Sequence, residues 1–308
     1  MKDLLKEKAI LYVKKAIVSY LDQEELFFLY AGMAFEFLGK AVLASKHPSL
    51  IVDPKDLDSL FQVCDIEGFT NRPISALKTI GGKEVLRRCK KLLPQLSSIE
   101  SEFERLIHQR NSLVHIGSLE YEKIRTTYRA FLKGIIILSE YLGVEKSQLF
   151  GEFKEVIENF LDETKKEIEK IVEEKIIRAR NNFKNKFSDM DEYTKKTVIK
   201  AIENSYRLSM YEEDLAECPA CGNLGVLRGS YEYEFEWPSD CFNKNGDPVP
   251  CVEVTMFPEE FECSICGLKL DGYDELEVIG LTEPIEMEGD PEDFPEYYYD
   301  DTYDCEFY

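Results

Sequence analysis

Residues 26–44, LFFLYAGMAFEFLGKAVLA, decide the first part of the fold. Only Glu36 and Lys40 carry charge in this run, and a helix that is apolar almost all round belongs inside a core. Glu36 and Lys40 stand four residues apart and therefore share one face. Working outward, an amphipathic segment from about Lys2 to Tyr20 precedes this central helix. HPSLIVDPKD (47–56) and then Asn71-Arg72-Pro73 interrupt the helical pattern. Ser97-Ser98-Ile99-Glu100 reads as a capping box that starts a helix, and Gly117 as its C-cap. A further helix is expected over about Glu120 to Tyr141. Residues 1–146 thus read as an all-helical domain.

Beyond it, residues 150–187 read as one long helix. Phe153, Ile157, Phe160, Ile168, Ile171, Ile176, Ala179 and Phe183 form a seam at near coiled-coil spacing among balanced charge. Ser188-Asp189-Met190-Asp191 breaks that helix and caps a second one reaching about Tyr211. These residues fit either a connector or dimerisation arm, or two helices packed on the first domain. From 216 the period changes to two: Tyr231-Glu232-Tyr233-Glu234-Phe235-Glu236-Trp237 alternates aromatic and acidic side chains, as a half-buried antiparallel strand does. Val252 to Met256 and Leu268 to Leu270 continue it, with turns at Asn245-Gly246 and Asp271-Gly272.

The chain has 308 residues, enough for two or three domains, and 44% of them are hydrophobic, enough to build cores. No stretch approaches the roughly 18–20 apolar residues of a membrane span, and the opening MKDLLKEKAI lacks a secretory apolar core. A reducing, cytoplasmic setting is the expectation, with no membrane partner. The net charge of −22 is unevenly placed. Residues 1–150 hold 22 Lys+Arg against 19 Asp+Glu, residues 151–210 hold 13 of each, and residues 211–308 hold 3 against 28. A polyanion would be repelled by the last third, so contact with nucleic acid falls to the first 150 residues.

Nine cysteines in a reducing setting read as metal ligands or free thiols before disulfides. Cys218-Pro219-Ala220-Cys221-Gly222 and Cys263-Ser264-Ile265-Cys266-Gly267 are matching pairs. Two thiolates spaced this way on a tight turn can reach one ion, and the following glycine relieves the turn. The pattern resembles the zinc-ribbon family over about residues 216–282, with the 41 residues between the pairs accommodating an inserted hairpin. A four-thiolate zinc site is closed and structural, since it leaves no position for an activated water. Cys241 and Cys251 flank the 242–250 loop and could replace one pair. Free thiols are the expectation for them and for Cys64, Cys89 and Cys305.

The helix that opens at the capping box carries the remaining chemistry. Its apolar stripe is Ile99, Phe103, Leu106, Ile107 and Val114, with Leu113 at the edge. At 100° per residue Arg110 falls in the middle of it. A guanidinium there needs an anion, either a carboxylate such as Glu36 or a bound phosphate. Glu104, His108, Asn111 and His115 share a second line, so Asn111 lies one turn from His115 and can orient its imidazole. Taken singly, these are ordinary surface and core residues.

Together, Arg110-Asn111-Ser112-Leu113-Val114-His115 resembles the R-x4-6-H motif of the HEPN family, late in a helical domain of about 145 residues. The resemblance covers residues 1–146. It implies a metal-independent endoribonuclease acting as a homodimer, whose paired motif helices share one cleft. Carried to this chain, His115 would take the 2′-hydroxyl proton, Arg110 would stabilise charge on the scissile phosphate, and Asn111 would position the histidine. His108 is a supporting candidate. The toxin subgroup partnered by a nucleotidyltransferase usually has Tyr two residues past the histidine, where this chain has Gly117.

The expected architecture is multidomain α+β: a HEPN-like helical bundle (1–146), a helical connector or dimerisation arm (147–214), a small β zinc-ribbon (215–282) and an acidic Tyr-rich tail (283–308). The expected function is an RNA-cleaving toxin or antiviral defence protein, with its acidic region restraining activity, aiding solubility or docking a basic protein partner. The alternatives are a non-catalytic HEPN scaffold and a regulator whose ribbon contacts a transcription or translation complex.

Overall fold

The computed structural model describes residues 1–22, 25–64, 73, 76–117, 124–236 and 251–294. The chain is a mixed α+β protein made of two compact units, Met1–Glu163 and Thr164–Tyr308.

The first unit contains α1 (Lys2–Leu21), α2 (Leu26–Lys46), α3 (Leu57–Val63), α4 (Gly82–Lys90), α5 (Glu100–His115), α6 (Ile124–Tyr141) and α7 (Lys146–Phe150). α2 is its centre and meets α1, α4, α5 and α6. Phe27, Phe28, Phe35 and Leu38 of α2 pack in one core with Val13, Ile17, Phe103, Tyr128 and Phe131. By length and composition α2 would suit a membrane span, at 21 residues and a mean hydropathy of 1.6, which corrects the expectation that no stretch does; two thirds of that window is buried inside this core. Gly39 lets α4 approach α2, because a Cβ there would collide with Val85. Gly134 does the same for α6, where a Cβ would lie 2.6 Å from the Phe103 ring.

The start of α5 departs from the capping-box expectation. Pro94–Ile99 is a 3-10 turn, and Ile99, with no side-chain cap, precedes the helix. Burial of Leu96 and Ile99 winds the segment into that turn. Glu100 is thereby committed to Lys90 at 2.6 Å, and the Ser97 hydroxyl is left buried without a hydrogen bond. The far end follows expectation: Gly117 has φ +69° and its N–H donates to the Ser112 carbonyl at 3.0 Å. The expected beginning of the next helix, residues 118–123, lies outside the described residues.

α8 (Lys154–Phe187) is one helix of 34 residues, and the division between the units falls within it. Ile157, with Phe153 and Phe160, belongs to the first core. Val172, Ala179 and Phe187, with Ile168, Ile176 and Phe183, belong to the core of the second unit. The seam is therefore covered within this chain. Ile171, expected in it, is exposed, and Val172 takes the inward position. α9 (Glu192–Glu203) is capped by Asp191, which accepts from Tyr193 and Thr194 N–H at 3.0 Å. It ends at Glu203, eight residues before the expected Tyr211.

The second unit is built on β1 (Glu213–Glu217), β2 (Leu224–Glu236), β3 (Cys251–Cys263), β4 (Leu268–Asp271) and β5 (Ile285–Gly289), with α10 (Tyr273–Ile279) before β5. All pairings are antiparallel, in the order β1-β2-β3-β4, with β5 also on β3. β3 carries β4 and β5 on the same edge at opposite ends. Tyr233 and Phe235 face Val254 and Val252 across β2–β3, and Phe294 and Tyr211 close that cluster. Tyr211 donates to Asp293 at 2.7 Å and accepts from the Asp290 N–H at 2.9 Å. Part of what composition grouped as a tail is thus folded: Ile285–Gly289 pairs with β3, Ile285 and Met287 alternate inward, and Phe294 packs with Tyr211. The rest of the tail, the 245–246 turn and Trp237 lie outside the described residues.

Candidate functional site

The two Cys-x-x-Cys turns converge in the second unit. Cys218 and Cys221 follow β1, Cys263 ends β3 and Cys266 precedes β4. Both turns close alike: Gly222 N–H donates to the Cys218 carbonyl at 2.9 Å and Gly267 N–H to the Cys263 carbonyl at 2.8 Å. Both glycines adopt positive φ, +69° and +80°, where a Cβ would be strained. α8 braces each turn from one side, with Arg180 donating to the Pro219 carbonyl at 3.2 Å and Lys186 to the Ile265 carbonyl at 3.3 Å.

The four Sγ atoms lie within 4.8 Å of one another, with Cys218–Cys266 at 3.5 Å and Cys221–Cys263 at 3.7 Å. A tetrahedral site with metal–sulfur bonds of about 2.3 Å has edges of about 3.8 Å. The donor set therefore fits one metal ion bound by four sulfurs. Hydrogen bonds from Cys218, Cys263 and Cys266 hold the Cys221 thiol far below its ordinary range, while those from Cys218, Cys221 and Cys263 push Cys266 far above. Cys64 and Cys89 are free thiols, as expected. Cys251, expected to be free, is disulfide-bonded. Cys241 and Cys305 lie among the residues not described.

In the first unit, α2 presents Gly32, Glu36 and Lys40 at successive turns. The Arg110 stem lies over Gly32, whose Cβ would sit 3.2 Å from Arg110 Cγ. The Arg110 guanidinium reaches Glu36 Oε2 at 3.6 Å. Buried Lys40 holds the other carboxylate oxygen at 2.6 Å and also donates to Thr79 Oγ1 at 2.9 Å. Gly82, opening α4, packs beside the same carboxylate. The Arg110–Glu36 separation exceeds hydrogen-bond reach. Arg110 Nε is buried without a hydrogen bond, and the side chain as a whole is 30% exposed. The partly exposed guanidinium can donate from its terminal nitrogens to an anion's oxygens. Gly32, Thr79 and Gly82 were not singled out in the sequence; Gly32 had a signal, being one turn before Glu36.

His108, Asn111 and His115 are exposed on α5. No hydrogen bond joins Asn111 to His115. Arg110 and His115 are five residues apart, about 140° around the axis, so one copy of α5 does not aim both at one point. Val114, placed by its spacing in the core stripe, is 56% exposed, and Ile116 is 78% exposed. Beyond Ile107 the inward side of α5 turns polar: Gln109 is buried, and the half-buried Arg110 reaches Glu36. No family model, curated protein or solved structure matches this chain.

Proposed function

We propose that the first unit is a HEPN-type, metal-independent endoribonuclease acting as a homodimer in toxin or antiviral defence, and that the cysteine cluster holds structural zinc. The observation that carries the reading is Arg110: its guanidinium is only loosely held by Glu36, on the helix whose exposed last turn bears His115. Since one helix points these groups apart, a second α5 completes the site. Exposed Val114 and Ile116 beside His115 supply apolar surface for that pairing.

In this reading neutral His115 takes the proton of an RNA 2′-hydroxyl, whose oxygen bonds to the adjacent phosphorus. Arg110 balances the charge on the phosphoryl oxygens, and Asn111 orients the imidazole. The bond to the 5′-oxygen breaks, and that oxygen takes a proton from an imidazolium or water. The products are a cyclic phosphate and a 5′-hydroxyl. Zinc held by Cys218, Cys221, Cys263 and Cys266 would cross-link two turns and take no part in cleavage.

The test is RNA cleavage by the whole protein in EDTA, comparing wild type, Arg110→Ala, His115→Ala and His108→Ala. Cleavage abolished in the first two variants and retained by His108→Ala is expected. A chain lacking residues 295–308 belongs beside them, to ask whether the acidic end restrains activity; removing 283–308 would take away β5 as well. Absence of cleavage in wild type and truncation alike overturns the enzyme reading.

A second reading is favoured by Glu36, which already offers Arg110 a counter-charge within the chain. The helical unit is then a scaffold. The exposed acidic sheet face, with Glu234, Glu253 and Glu288 side by side, would dock a basic protein partner.

A further inference from the structure

α1 buries one apolar face and exposes another. Ala9, Val13, Ala16 and Ile17 are fully buried in the first unit's core. On the opposite side Leu4 is 58% exposed, Leu11 44% and Val18 42%, and Met1 and Leu21 are exposed as well. Leu4, Leu11 and Val18 are spaced by seven, which drifts only about 20° per step and so forms one continuous stripe.

The stripe is symmetric about Leu11. Leu4 and Val18 stand seven residues to either side, Met1 and Leu21 ten, and Glu7 and Lys15 four. In an antiparallel pair related by a two-fold axis through Leu11, each of these residues meets its mirror position in the other copy. Leucine then meets valine, methionine meets leucine, and Glu7 meets Lys15 twice. Glu7 and Lys15 are both exposed, and among the described residues Glu7 has no ion-pair partner. Lys8 and Lys14 also mirror each other. Lys14 is drawn aside, its Nζ lying 3.2 Å from the position a Cβ would take on Gly151, so this like-charged pair is kept apart.

We propose that the exposed face of α1 is a self-association surface, and that its occupant is α1 of a second copy, antiparallel and crossing at Leu11. Seven-residue spacing favours the shallow crossing of about 20° seen in coiled coils. Five apolar side chains per copy make a small interface, so dissociation on the order of micromolar is expected. The proposal does not depend on the reading of Arg110 and His115, and its test involves no RNA.

The experiment is light scattering on the full chain across a concentration series, with Leu11→Glu and Ile116→Glu as variants and circular dichroism as the check of folding. The expected result is concentration-dependent association, shifted at least tenfold toward the smaller species by Leu11→Glu and retained by Ile116→Glu, the variant that removes the α5 contact of the proposed nuclease dimer. Disulfide capture in a Cys64→Ser/Cys305→Ser background with zinc present fixes the register. Leu11→Cys should cross-link to itself, whereas Leu4→Cys should cross-link only when mixed with Val18→Cys. A monomer throughout the series, association that Leu11→Glu does not weaken in the Ile116→Glu background, or Leu4→Cys cross-linking to itself as readily as Leu11→Cys would overturn the proposal.

Discussion

Chelating the zinc proposed for the cysteine cluster should unfold the second unit before the first. The cluster joins the turn at Cys218–Cys221 to the turn at Cys263–Cys266, and 41 residues lie between Cys221 and Cys263. Closing a loop of that size restricts the unfolded chain by about 4 kcal/mol, on the chain-entropy scale used for cross-links. Domain stabilities are about 5–15 kcal/mol, so this one constraint is a large share of the total. The loss would be larger still, because Cys218, Cys263 and Cys266 are buried and would be left as uncoordinated thiols in the core. The first unit holds none of these ligands and keeps its own core. The assay is urea unfolding before and after chelation, with metal content measured on both samples. Trp237, the single tryptophan, follows β2 directly and reports the second unit, while far-ultraviolet dichroism reports the helices. An unchanged tryptophan midpoint after verified metal loss, or a protein that never takes up zinc, would refute the reasoning.

Three further outcomes follow from particular contacts. Ser97→Ala should be neutral or stabilising in thermal unfolding, since the buried hydroxyl has no partner; a capping role would instead cost about 1 kcal/mol. Glu253→Lys should stabilise the second unit by about 0.5–2 kcal/mol, because Glu253 lies between Glu234 and Glu288 across the strands, and the gain should shrink in high salt. Hydrogen bonds from Arg87 hold the Glu84 carboxyl down at about 2, below its usual 4.5, with Arg88 adding to them. A lowered value stabilises the fold above pH 4.5 and loses that contribution as pH falls toward 2. Glu84→Gln should therefore cost about 1 kcal/mol at pH 7, after allowing for solvent screening, and only a small part of that at pH 2, as read from denaturation at the two values.

The helical period around Phe27–Leu43, the stop of the long helix at Phe187, the cap at Asp191 and the strand alternation at Tyr231–Glu236 were all legible, because each is a local signal; the expected start at residue 150 was not, since Lys146–Phe150 is a separate helix and Gly151–Phe153 a 3-10 turn before Lys154. The two Cys-x-x-Cys pairs were legible because spacing alone decides whether two thiolates reach one ion. Less visible was what ends a pattern. Val114 fits the stripe of α5 by angle, yet no neighbour covers it among the described residues, and a helical wheel carries no information about where a bundle stops. Ser97 and Glu100 have capping-box spacing, but Lys90, far off in sequence, competes for the glutamate. Residues 285–289 have the composition of a tail, and only the free edge of β3 draws them into the sheet.

By itself, then, the sequence determined the classes of element, the grouping of four thiols in two turns, and the choice of Arg110, His115 and Glu36 as groups in need of partners, since these depend on neighbours a few residues away. Tertiary structure decided the loose Arg110–Glu36 contact over Gly32, the exposure of Val114 and Leu11, and the burial of Ser97. Each depends on which distant surface arrives at a given side chain, and that is settled by how whole helices and strands pack.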